Sequence, residues 1–297
     1  MRIIIAGSSG LIGTELVESL RSDGLEVIRL VRRKAVAPTE VSWDPSNQQL
    51  DVAALGKVDA IINLAGAGVG DHRWSNSYKK TILSSRVDTT SLLARIAAEI
   101  KPEVFISASA IGWYGDTADR KVDETAPVGA GFLADVVSQW EAAADPARAA
   151  GIRVVHPRTG LVSSPKGGAW GKLLPLFKLG LGGKLGSGKQ YWSFISMRDE
   201  VAALKYLLTN TSLSGPVNLT APQPATNAQV TKAMAKAFNR PALAHVPAFA
   251  LKLVLGEFSQ EVLGSSRVIP QVLLDADFVF QDPNIESAME NLAGNKV

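Results

Sequence analysis

The stretch that decides the fold is MRIIIAGSSGLIGTEL (1–16), in which an apolar run leads into three glycines. The residues before the first glycine have the composition of a buried strand, and those after the last have apolar side chains at helical spacing. Gly7, Gly10 and Gly13 recur at every third position between the two. Glycines placed in this way let another molecule come very close to the backbone.

The segment LEVIRLVRR (25–33) predicts a second strand after the helix, which makes the opening a βαβ unit. In such a unit the glycines allow a tight turn, the approach of a pyrophosphate and close packing of helix on strand. The free N–H groups of the helix then face the anion. The alternative is that the glycines only shape a turn, but the flanking strand and helix favour dinucleotide binding. The predicted phosphate loop consists of Gly7, Ser8, Ser9, Gly10, Leu11, Ile12 and Gly13.

Two arginines at the end of the second strand indicate which dinucleotide binds. About 20 residues beyond the glycine loop, an acidic residue accepts the ribose hydroxyl of NAD, whereas arginine accommodates the additional phosphate of NADP. The chain has Arg32 and Arg33 here, and no carboxylate follows until Glu40. We therefore predict that both arginines bind NADP, the alternative being that they are solvated surface charges.

The rest of the first half alternates predicted strands and helices, among them a helix over 132–151 and a strand over 152–162. This alternation is typical of an α/β fold with a doubly wound parallel sheet. Right-handed crossovers would bring the carboxyl ends of the strands to one edge, where ligands bind in such sheets. Small residues at the end of the strand AIINLAG (60–66) leave room there, although an ordinary loop would also explain them. The further predicted cofactor contacts at this edge are Leu64, Ala65, Gly66, Ala67, Ser107, Pro157, Arg158 and Thr159.

The pattern divides the chain into a nucleotide domain and a smaller lobe. Residues 1–162 are predicted to form an NADP-binding, Rossmann-like domain, to which the chain returns at about 191–220. Residues 163–190 are rich in glycine and lysine and are predicted to form a lid. Together with 221–297, which is mainly helical with proline breaks, they would form a C-terminal substrate lobe.

Composition limits the classes of function. The net charge is only +3 and no long basic run occurs, so neither nucleic acid nor a membrane surface is an expected partner. The chain has no cysteine and only three histidines, which excludes thiolate chemistry and argues against a metal site. We expect a cytoplasmic protein whose partner is a small-molecule substrate.

Several longer strings resemble the extended short-chain dehydrogenase/reductase superfamily, and within it an NAD(P)-dependent epimerase/dehydratase-like subgroup with a small C-terminal domain of unknown function. The resemblance covers nearly the whole chain and implies a Rossmann-type domain with a substrate lobe. By analogy it also implies a homodimer. The strings that carry it include GSSGLIG (7–13), NLAGAGV (63–69), SASAIGWYG (107–115), PRTGLV (157–162), GGKLGSGKQYWSFIS (182–196) and RPALAHVPAFALKLVLGE (240–257).

The chain departs from the superfamily pattern where proton transfer takes place. In the superfamily a tyrosine four residues before a lysine transfers the proton, and a glutamate often follows four residues after the lysine. Glu141 fits the glutamate position, which puts Leu133 in the place of the tyrosine and Val137 in that of the lysine. Neither side chain exchanges a proton, so the usual acid/base pair is missing. Ser196 also stands where relatives tend to have a histidine.

Two side chains are candidates for handling the substrate oxygen. Ser109 matches the position where the superfamily keeps a serine or threonine that hydrogen-bonds the substrate, although a serine at a strand end is also a common turn residue. Tyr114 is the only phenol nearby that could replace the missing acid, although packing would explain it equally well. We take Ser109 and Tyr114 as the catalytic candidates.

The sequence leaves open the role of residues at three further sites. Arg86 on the long predicted helix either turns inward toward the substrate or is solvated or structural, and the second interpretation is favoured. Gln190, Tyr191 and Trp192 either contact ligand or form an aromatic hinge. His72 is most simply a surface residue.

Two functional hypotheses follow. The first is an NADP(H)-dependent oxidoreductase of the epimerase/dehydratase type, which acts on an unidentified small polar substrate, such as a nucleotide sugar, without the usual Tyr–Lys pair. The second is a catalytically silent protein that senses NADP(H) or regulates a partner. A complete lid and substrate lobe favour the first, and the loss of both proton-transfer residues favours the second.

Overall fold

A nine-stranded sheet forms the centre of the protein in the computed structural model, which describes residues 1–294. Eight further short strands pair outside it within that range. In chain order the strands are β1 (Arg2–Ala6), β2 (Glu26–Val31), β3 (Glu40–Asp44), β4 (Gln49–Leu50), β5 (Ala60–Asn63), β6 (Val104–Ser107), β7 (Ser109–Ala110), β8 (Lys121–Val122), β9 (Arg153–Thr159), β10 (Leu161–Ser163), β11 (Gly183–Leu185), β12 (Tyr191–Trp192), β13 (Phe194–Ser196), β14 (Gly215–Leu219), β15 (Ala225–Thr226), β16 (Ala244–Val246) and β17 (Arg267–Val268).

Helices connect the strands and make up most of the C-terminal third. Short 3-10 turns at Ala53–Leu55, Ile111–Tyr114 and Gly256–Phe258 complete the regular structure of the described residues. The helices are α1 (Leu11–Ser22), α2 (Asn76–Ile100), α3 (Phe132–Ala142), α4 (Asp145–Ala149), α5 (Gly168–Lys178), α6 (Met197–Thr209), α7 (Asn227–Ala237), α8 (Ala248–Leu255), α9 (Ser259–Leu263), α10 (Gln271–Asp275) and α11 (Ile285–Leu292).

The order of the strands confirms the doubly wound α/β fold. The sheet runs β14-β9-β6-β5-β1-β2-β3-β4, with β7 beside β9, and all its pairs are parallel except β3 with β4. The chain therefore winds outward from β1 in both directions. Ligands of such sheets bind at the carboxyl end of the strands where the winding reverses, here between β1 and β5.

Both faces of the sheet are covered, which explains the unbroken apolar run at the start of the chain. Ile3 and Ile5 belong to the hydrophobic core that includes residues of α1 and α6, whereas Ile4 belongs to the core that includes residues of α2 and α4. All three isoleucines are fully buried. Successive side chains of a strand point to opposite faces, so a strand buried on both faces needs no polar residue.

Two predicted elements are each split in the structure. The helix predicted over 132–151 becomes α3 and α4, and Pro146 lies in the first turn of α4, where it needs no intrahelical partner. The strand predicted over 152–162 becomes β9 and β10, divided at Gly160, where a side chain would collide with the backbone of a neighbouring strand connection. After this break, β10 leaves the main sheet and pairs with β13.

The later part of the chain packs back against the first. α6 lies on the sheet next to α1, and β14 extends the sheet beside β9. A separate hydrophobic core brings α5 together with α7 and α11. The region after β14 is mainly helical, in agreement with the expectation. The division into a nucleotide domain and a substrate lobe stays a prediction, and the last three residues of that predicted lobe, 295–297, lie outside the described residues.

Candidate functional site

The phosphate loop joins β1 to α1 by direct contact of backbone with backbone. Gly7 has φ +75°, and a Cβ there would lie 2.6 Å from the carbonyl of Leu64. A Cβ on Gly13 would collide with the Gly7 carbonyl oxygen. Gly10 differs, because its φ of −76° suits any residue and a Cβ would meet that oxygen at 3.2 Å, a tight contact. Gly7 and Gly13 are thus required by the fold, whereas Gly10 keeps the space outside the loop open.

The first turn of α1 has backbone N–H groups that no side chain caps. Gly10 is the N-cap residue, no side chain caps the helix, and the first turn contains no acidic residue. The N–H groups of a first helical turn have no partner within the helix, and the helix dipole favours negative charge there. Ser9 and Gly10 are exposed, so a pyrophosphate can reach these donors.

The two arginines after β2 have different environments. Arg33 makes a bidentate contact with Glu40, at 2.7 and 2.8 Å, and Arg29 approaches the same carboxylate at 2.5 Å. Hydrogen bonding by Arg33 lowers the pKa of Glu40 to about 2, and the carboxylate is buried. Arg32 is exposed and has no ion pair within residues 1–294. The carboxylate nearest these arginines in the sequence is therefore already paired, whereas Arg32 has no ion pair among residues 1–294.

Side chains of α2 hydrogen-bond the backbone of the loop after β5. The N–H of Ala67 donates to Ser85 Oγ at 3.0 Å, and the Tyr78 hydroxyl donates to the Gly68 carbonyl at 2.5 Å. Gly66 is exposed, and the guanidinium of Arg86 packs against it. Arg86 is therefore only partly exposed and does not extend freely into solvent. Leu64, Ala65 and Ala67 are half-buried beside the phosphate loop.

Ser107 ends β6 at the same edge and is completely buried. Its hydroxyl oxygen has no hydrogen-bond partner among the described residues. A buried hydroxyl without a partner is costly, so such a group indicates an unfilled polar contact. Ser107 therefore suits a ligand with polar groups at this edge of the sheet.

A buried polar network occupies the end of β9. Arg158 contacts both carboxylate oxygens of Glu141, at 2.8 and 2.9 Å, and donates to the Tyr114 hydroxyl at 3.1 Å. Tyr114 donates to Asn218 Oδ1 at 2.7 Å. Ser109 donates to Glu141 at 2.5 Å. The sequence placed Arg158 at the cofactor and Ser109 and Tyr114 at the substrate, but in the structure the polar groups of all three are committed to each other and to Glu141 and Asn218.

Within this network the positive charge of Arg158 balances the negative charge of Glu141. Burial acts to raise the pKa of Glu141, but the hydrogen bonds and charge of Arg158 outweigh it, so the pKa of Glu141 lies below its usual range. Burial raises the pKa of Tyr114, whose side chain is 3% exposed. At neutral pH the carboxylate is thus ionised and the phenol protonated. The catalytic assignments of Ser109 and Tyr114 stay predictions, and the geometry gives Tyr114 a packing role as well.

The helix that would supply the proton-transfer pair presents an apolar surface. A Cβ on Gly112 would lie 3.2 Å from the Leu133 Cβ and 3.7 Å from a Val137 methyl group. Both side chains thus lie against the turn that carries Tyr114. Glu141 follows one turn later and binds Arg158. On the face of α3 that carries Leu133 and Val137, Glu141 is the first ionisable group, whereas Asp135 of the first turn is exposed to solvent.

Sequence reasoning missed Glu200, which only the structure singles out. This residue lies in the first turn of α6 and is completely buried. Thr159 Oγ1 donates to Glu200 Oε1 at 2.9 Å, while Oε2 has no partner among the described residues. Burial raises the pKa of Glu200 to about 8. Thr159 is one of the predicted cofactor contacts and is half-buried, whereas Pro157, another of them, lies inside β9 and is buried.

The remaining candidates are mostly structural. Gln190 is buried and donates to the Leu185 carbonyl at 2.9 Å, and Trp192 is buried against Trp170. These contacts favour the hinge interpretation for both. His72 is exposed, as expected. Across residues 1–294, no group of histidine and acidic side chains could hold a metal ion, and no helix is both long and apolar enough to cross a membrane.

Residues 3–219 match the family model described as the NAD dependent epimerase/dehydratase family. The chain belongs to this family. Residues 246–292 match a second model, described as a domain of unknown function, DUF1731. The resemblance found in the sequence is thereby confirmed over both parts of the chain.

Relatives in other organisms match this chain over nearly its full length. An epimerase family protein of Mycobacterium leprae is 44% identical over 97% of this chain and 94% of its own. Among solved structures, human epimerase family protein SDR39U1 (isoform 2), crystallised with NADPH, has a TM-score of 0.90 at 30% identity, covering 100% of both chains. A nucleoside-diphosphate sugar epimerase of Corynebacterium glutamicum has a TM-score of 0.82 at 33% identity, covering 99% of this chain and 58% of the other.

We predict that Glu200→Gln changes how stability depends on pH. The folded pKa of Glu200 is about 8, above the ordinary value of 4.5, so the folded protein binds more protons than the unfolded chain between these values. Stability should therefore fall as pH rises through this window, by at most about 5 kcal/mol for this group. Glutamine cannot ionise, so the variant should equal the wild type near pH 5 and exceed it near pH 9.

Urea unfolding of both proteins at the two pH values measures this difference. Glu99→Gln, which changes an exposed carboxylate on α2, is the matched control. Parallel pH profiles for the wild type and Glu200→Gln would show that the carboxyl is not held neutral by burial.

Proposed function

We propose that this chain binds NADP(H) and acts as an epimerase/dehydratase-like oxidoreductase on a small polar substrate. The observation that carries the proposal is the uncapped first turn of α1, whose free N–H groups face an open space kept clear by Gly10. Membership of an NAD-dependent family and the NADPH in crystals of SDR39U1 support it.

Each part of the edge offers the dinucleotide a suitable contact. The phosphate loop 7–13 would hold the pyrophosphate, the loop 64–67 offers room beside it, and the free hydroxyl of Ser107 would gain a partner. Thr159, held by Glu200, lies at the carboxyl end of β9. When bound, the cofactor supplies a hydride donor or acceptor.

The arginine environments support NADP(H) over NAD(H). Glu40, the one carboxylate that could accept a ribose hydroxyl here, is already bound by Arg29 and Arg33. Arg32 remains free to bind a phosphate, and Arg33 adds positive charge while it holds Glu40 in place. Guanidinium groups match phosphate oxygens well in geometry and charge.

A segment of the predicted lid contacts both the start of α1 and the loop after β5. These contacts support a substrate that is enclosed by the protein. Lys166 pairs with Glu15 on α1 at 2.5 Å, and Lys172 on α5 donates to the Gly70 carbonyl at 2.5 Å. A Cβ on Gly167 would lie 3.5 Å from a Leu11 methyl group. The likeness to a nucleoside-diphosphate sugar epimerase makes a nucleotide-sugar-like compound the substrate class we propose.

The chemistry would proceed without the Tyr–Lys pair. Leu133 and Val137 supply neither a proton nor a charge, so Ser109 with Tyr114, or a water molecule, would have to serve the substrate oxygen. General acid/base catalysis contributes about 10²- to 10⁴-fold, and turnover should be slow to that extent.

A second candidate function is a catalytically silent NADP(H) sensor. It is favoured by the hydrogen bonds that already engage the hydroxyls of Ser109 and Tyr114. In this case the same dinucleotide site would report the cofactor to a partner, and no carbonyl compound would be reduced.

We predict that NADPH binds more tightly than NADH, because Arg32 can pair with the additional phosphate. A charge-assisted pair contributes about 1.5 to 3 kcal/mol, which corresponds to roughly 10- to 100-fold in affinity. Arg32→Ala should remove most of this preference, and Arg33→Ala less, because its guanidinium also binds Glu40. Fluorescence titration with both cofactors measures the ratio, with the exposed Lys34→Ala as control. Equal affinities in the wild type would contradict the proposal.

We predict that Gly10→Val abolishes dinucleotide binding in a protein that still folds. The backbone at Gly10 accepts a side chain, but the side chain would fill the space needed by the pyrophosphate. Gly13→Ala is the matched contrast, because its Cβ collides with the Gly7 carbonyl and should lower the melting temperature. Binding and thermal unfolding measured on the same samples separate the two effects, and a Gly10→Val protein that binds normally would refute the loop assignment.

We predict slow NADPH oxidation with some member of a panel of carbonyl compounds. Ser109→Ala and Tyr114→Phe should lower this rate further if the two hydroxyls serve the substrate, while cofactor affinity stays constant. Unchanged rates in both variants would remove them from the mechanism. If no member of the panel is reduced although NADPH binds, the sensor function replaces the oxidoreductase.

A further inference from the structure

Arg86 on α2 turns its side chain into the edge of the sheet. Its Nη1 donates to the Ile82 carbonyl at 2.9 Å, and its Cζ lies 5.0 Å from the centre of the Trp140 ring on α3. A Cβ on Gly66 would lie 3.2 Å from Arg86 Cζ and 3.4 Å from Nη1. The guanidinium thus lies between the loop after β5 and the helix that carries Leu133 and Val137.

This guanidinium has no counter-charge. Arg86 forms no ion pair with any residue of the described range 1–294, and its single protein hydrogen bond is to a helical carbonyl. Burial lowers the pKa of Arg86 to about 10. By contrast, buried Arg158 has both oxygens of Glu141, and Arg153 has three backbone carbonyls. A cation removed from water usually has such partners, so the position of Arg86 indicates a partner that the protein itself does not supply.

Gly66 leaves the guanidinium of Arg86 accessible to a ligand. Its backbone lies outside the left-handed region, so the conformation itself does not require glycine. A side chain at this exposed position would instead cover the guanidinium. The glycine therefore leaves Arg86 reachable from the open edge of the sheet, where its side chain remains partly exposed.

Arg86 lies near two parts of the proposed ligand site, the loop that adjoins the phosphate loop and the helix α3. Gly7 of the phosphate loop contacts Leu64 and Ala65, which directly precede Gly66. On the other side, Trp140 lies three residues after Val137 on α3, and the carboxylate of the adjacent Glu141 is already bound by Arg158. A positive charge at this place can therefore meet either the pyrophosphate of the cofactor or an anionic group of the substrate.

We propose that Arg86 is an oxyanion-binding residue of the ligand cleft, whose guanidinium is reached past Gly66 and binds a phosphate or carboxylate of the bound ligand. This inference rests on the proposed dinucleotide site and adds to it a contact that the sequence left open, with the solvated or structural interpretation favoured. It also places on α2 a positive charge that α3 does not provide.

The test measures binding by calorimetry with three probes: NADPH, inorganic pyrophosphate, and malonate added to protein saturated with NADPH. Arg86→Met removes the charge at similar length, and Arg86→Lys keeps the charge without the planar fork. The control is Arg95→Met, on the same helix, whose exposed guanidinium donates to Gln48 at 2.7 Å. Melting temperatures are recorded for every protein. Gly66→Ala crowds the guanidinium without removing it and serves if Arg86→Met does not fold.

We expect Arg86→Met to weaken at least one anionic probe by about 10- to 100-fold, Arg86→Lys and Gly66→Ala to weaken it less, and Arg95→Met to leave it unchanged. Loss of NADPH and pyrophosphate together assigns Arg86 to the cofactor, and loss of malonate alone assigns it to the substrate. Affinities within twofold of the wild type for every probe, with or without a lower melting temperature, would overturn the proposal and leave a structural arginine.

The two proposals fail separately. If the wild type does not bind NADPH but binds pyrophosphate through Arg86, the proposed function fails and the anion site stands. If the wild type binds NADPH and Arg86→Met binds all probes equally well, the function stands and the anion site fails. If the wild type binds no probe, both are wrong.

Discussion

The closeness of backbone to backbone at the phosphate loop is the constraint on which the rest of the structure depends. Gly7 lies against Leu64, and Gly13 lies against Gly7, at distances that admit no side chain. This contact draws the start of α1 onto the carboxyl ends of β1 and β5, where the sheet reverses its winding. The same contact that packs helix on strand therefore also exposes the uncapped N–H groups on which the proposed anion site depends.

The second organising feature is the buried pair of Arg158 and Glu141. In the superfamily pattern that the sequence resembles, this helix carries exchangeable protons, whereas here the face with Leu133 and Val137 is apolar and leads to Glu141, whose carboxylate is bound by Arg158. A buried ion pair is tolerated only when its remaining hydrogen bonds are satisfied, and Ser109 and Tyr114 satisfy them. The hydroxyls that would be free to act on a substrate are thus also the ones that stabilise the pair. The same hydroxyls would have to serve both the buried ion pair and a substrate. For this physical reason slow catalysis and a sensor function are both considered.

Sequence reasoning worked best where the requirement is local. The glycine spacing, the apolar strand and the amphipathic helix each follow from backbone geometry and side-chain period, and the α/β fold and the family were correct. It was weaker where neighbours distant in the chain decide. Pro146 and Gly160 are residue types at which helices and strands often break, but the course of the chain after each one depends on packing, since α4 packs against α2 and β10 leaves the main sheet to pair with β13.

The sequence by itself determined the doubly wound sheet, the phosphate loop and the absence of an ionisable pair at Leu133 and Val137, because these depend on residue type and spacing. Only the tertiary structure decided which charges are free. Arg32 and Arg33 are identical in sequence terms, yet only Arg33 meets Glu40. Glu200 is an ordinary helical glutamate until folding buries it beside Thr159, and Arg86 an ordinary helical arginine until it lies against Gly66 without a carboxylate. The reason is that the energy of a charge depends on its solvation and on partners brought from elsewhere in the chain, and neither is encoded at the residue itself.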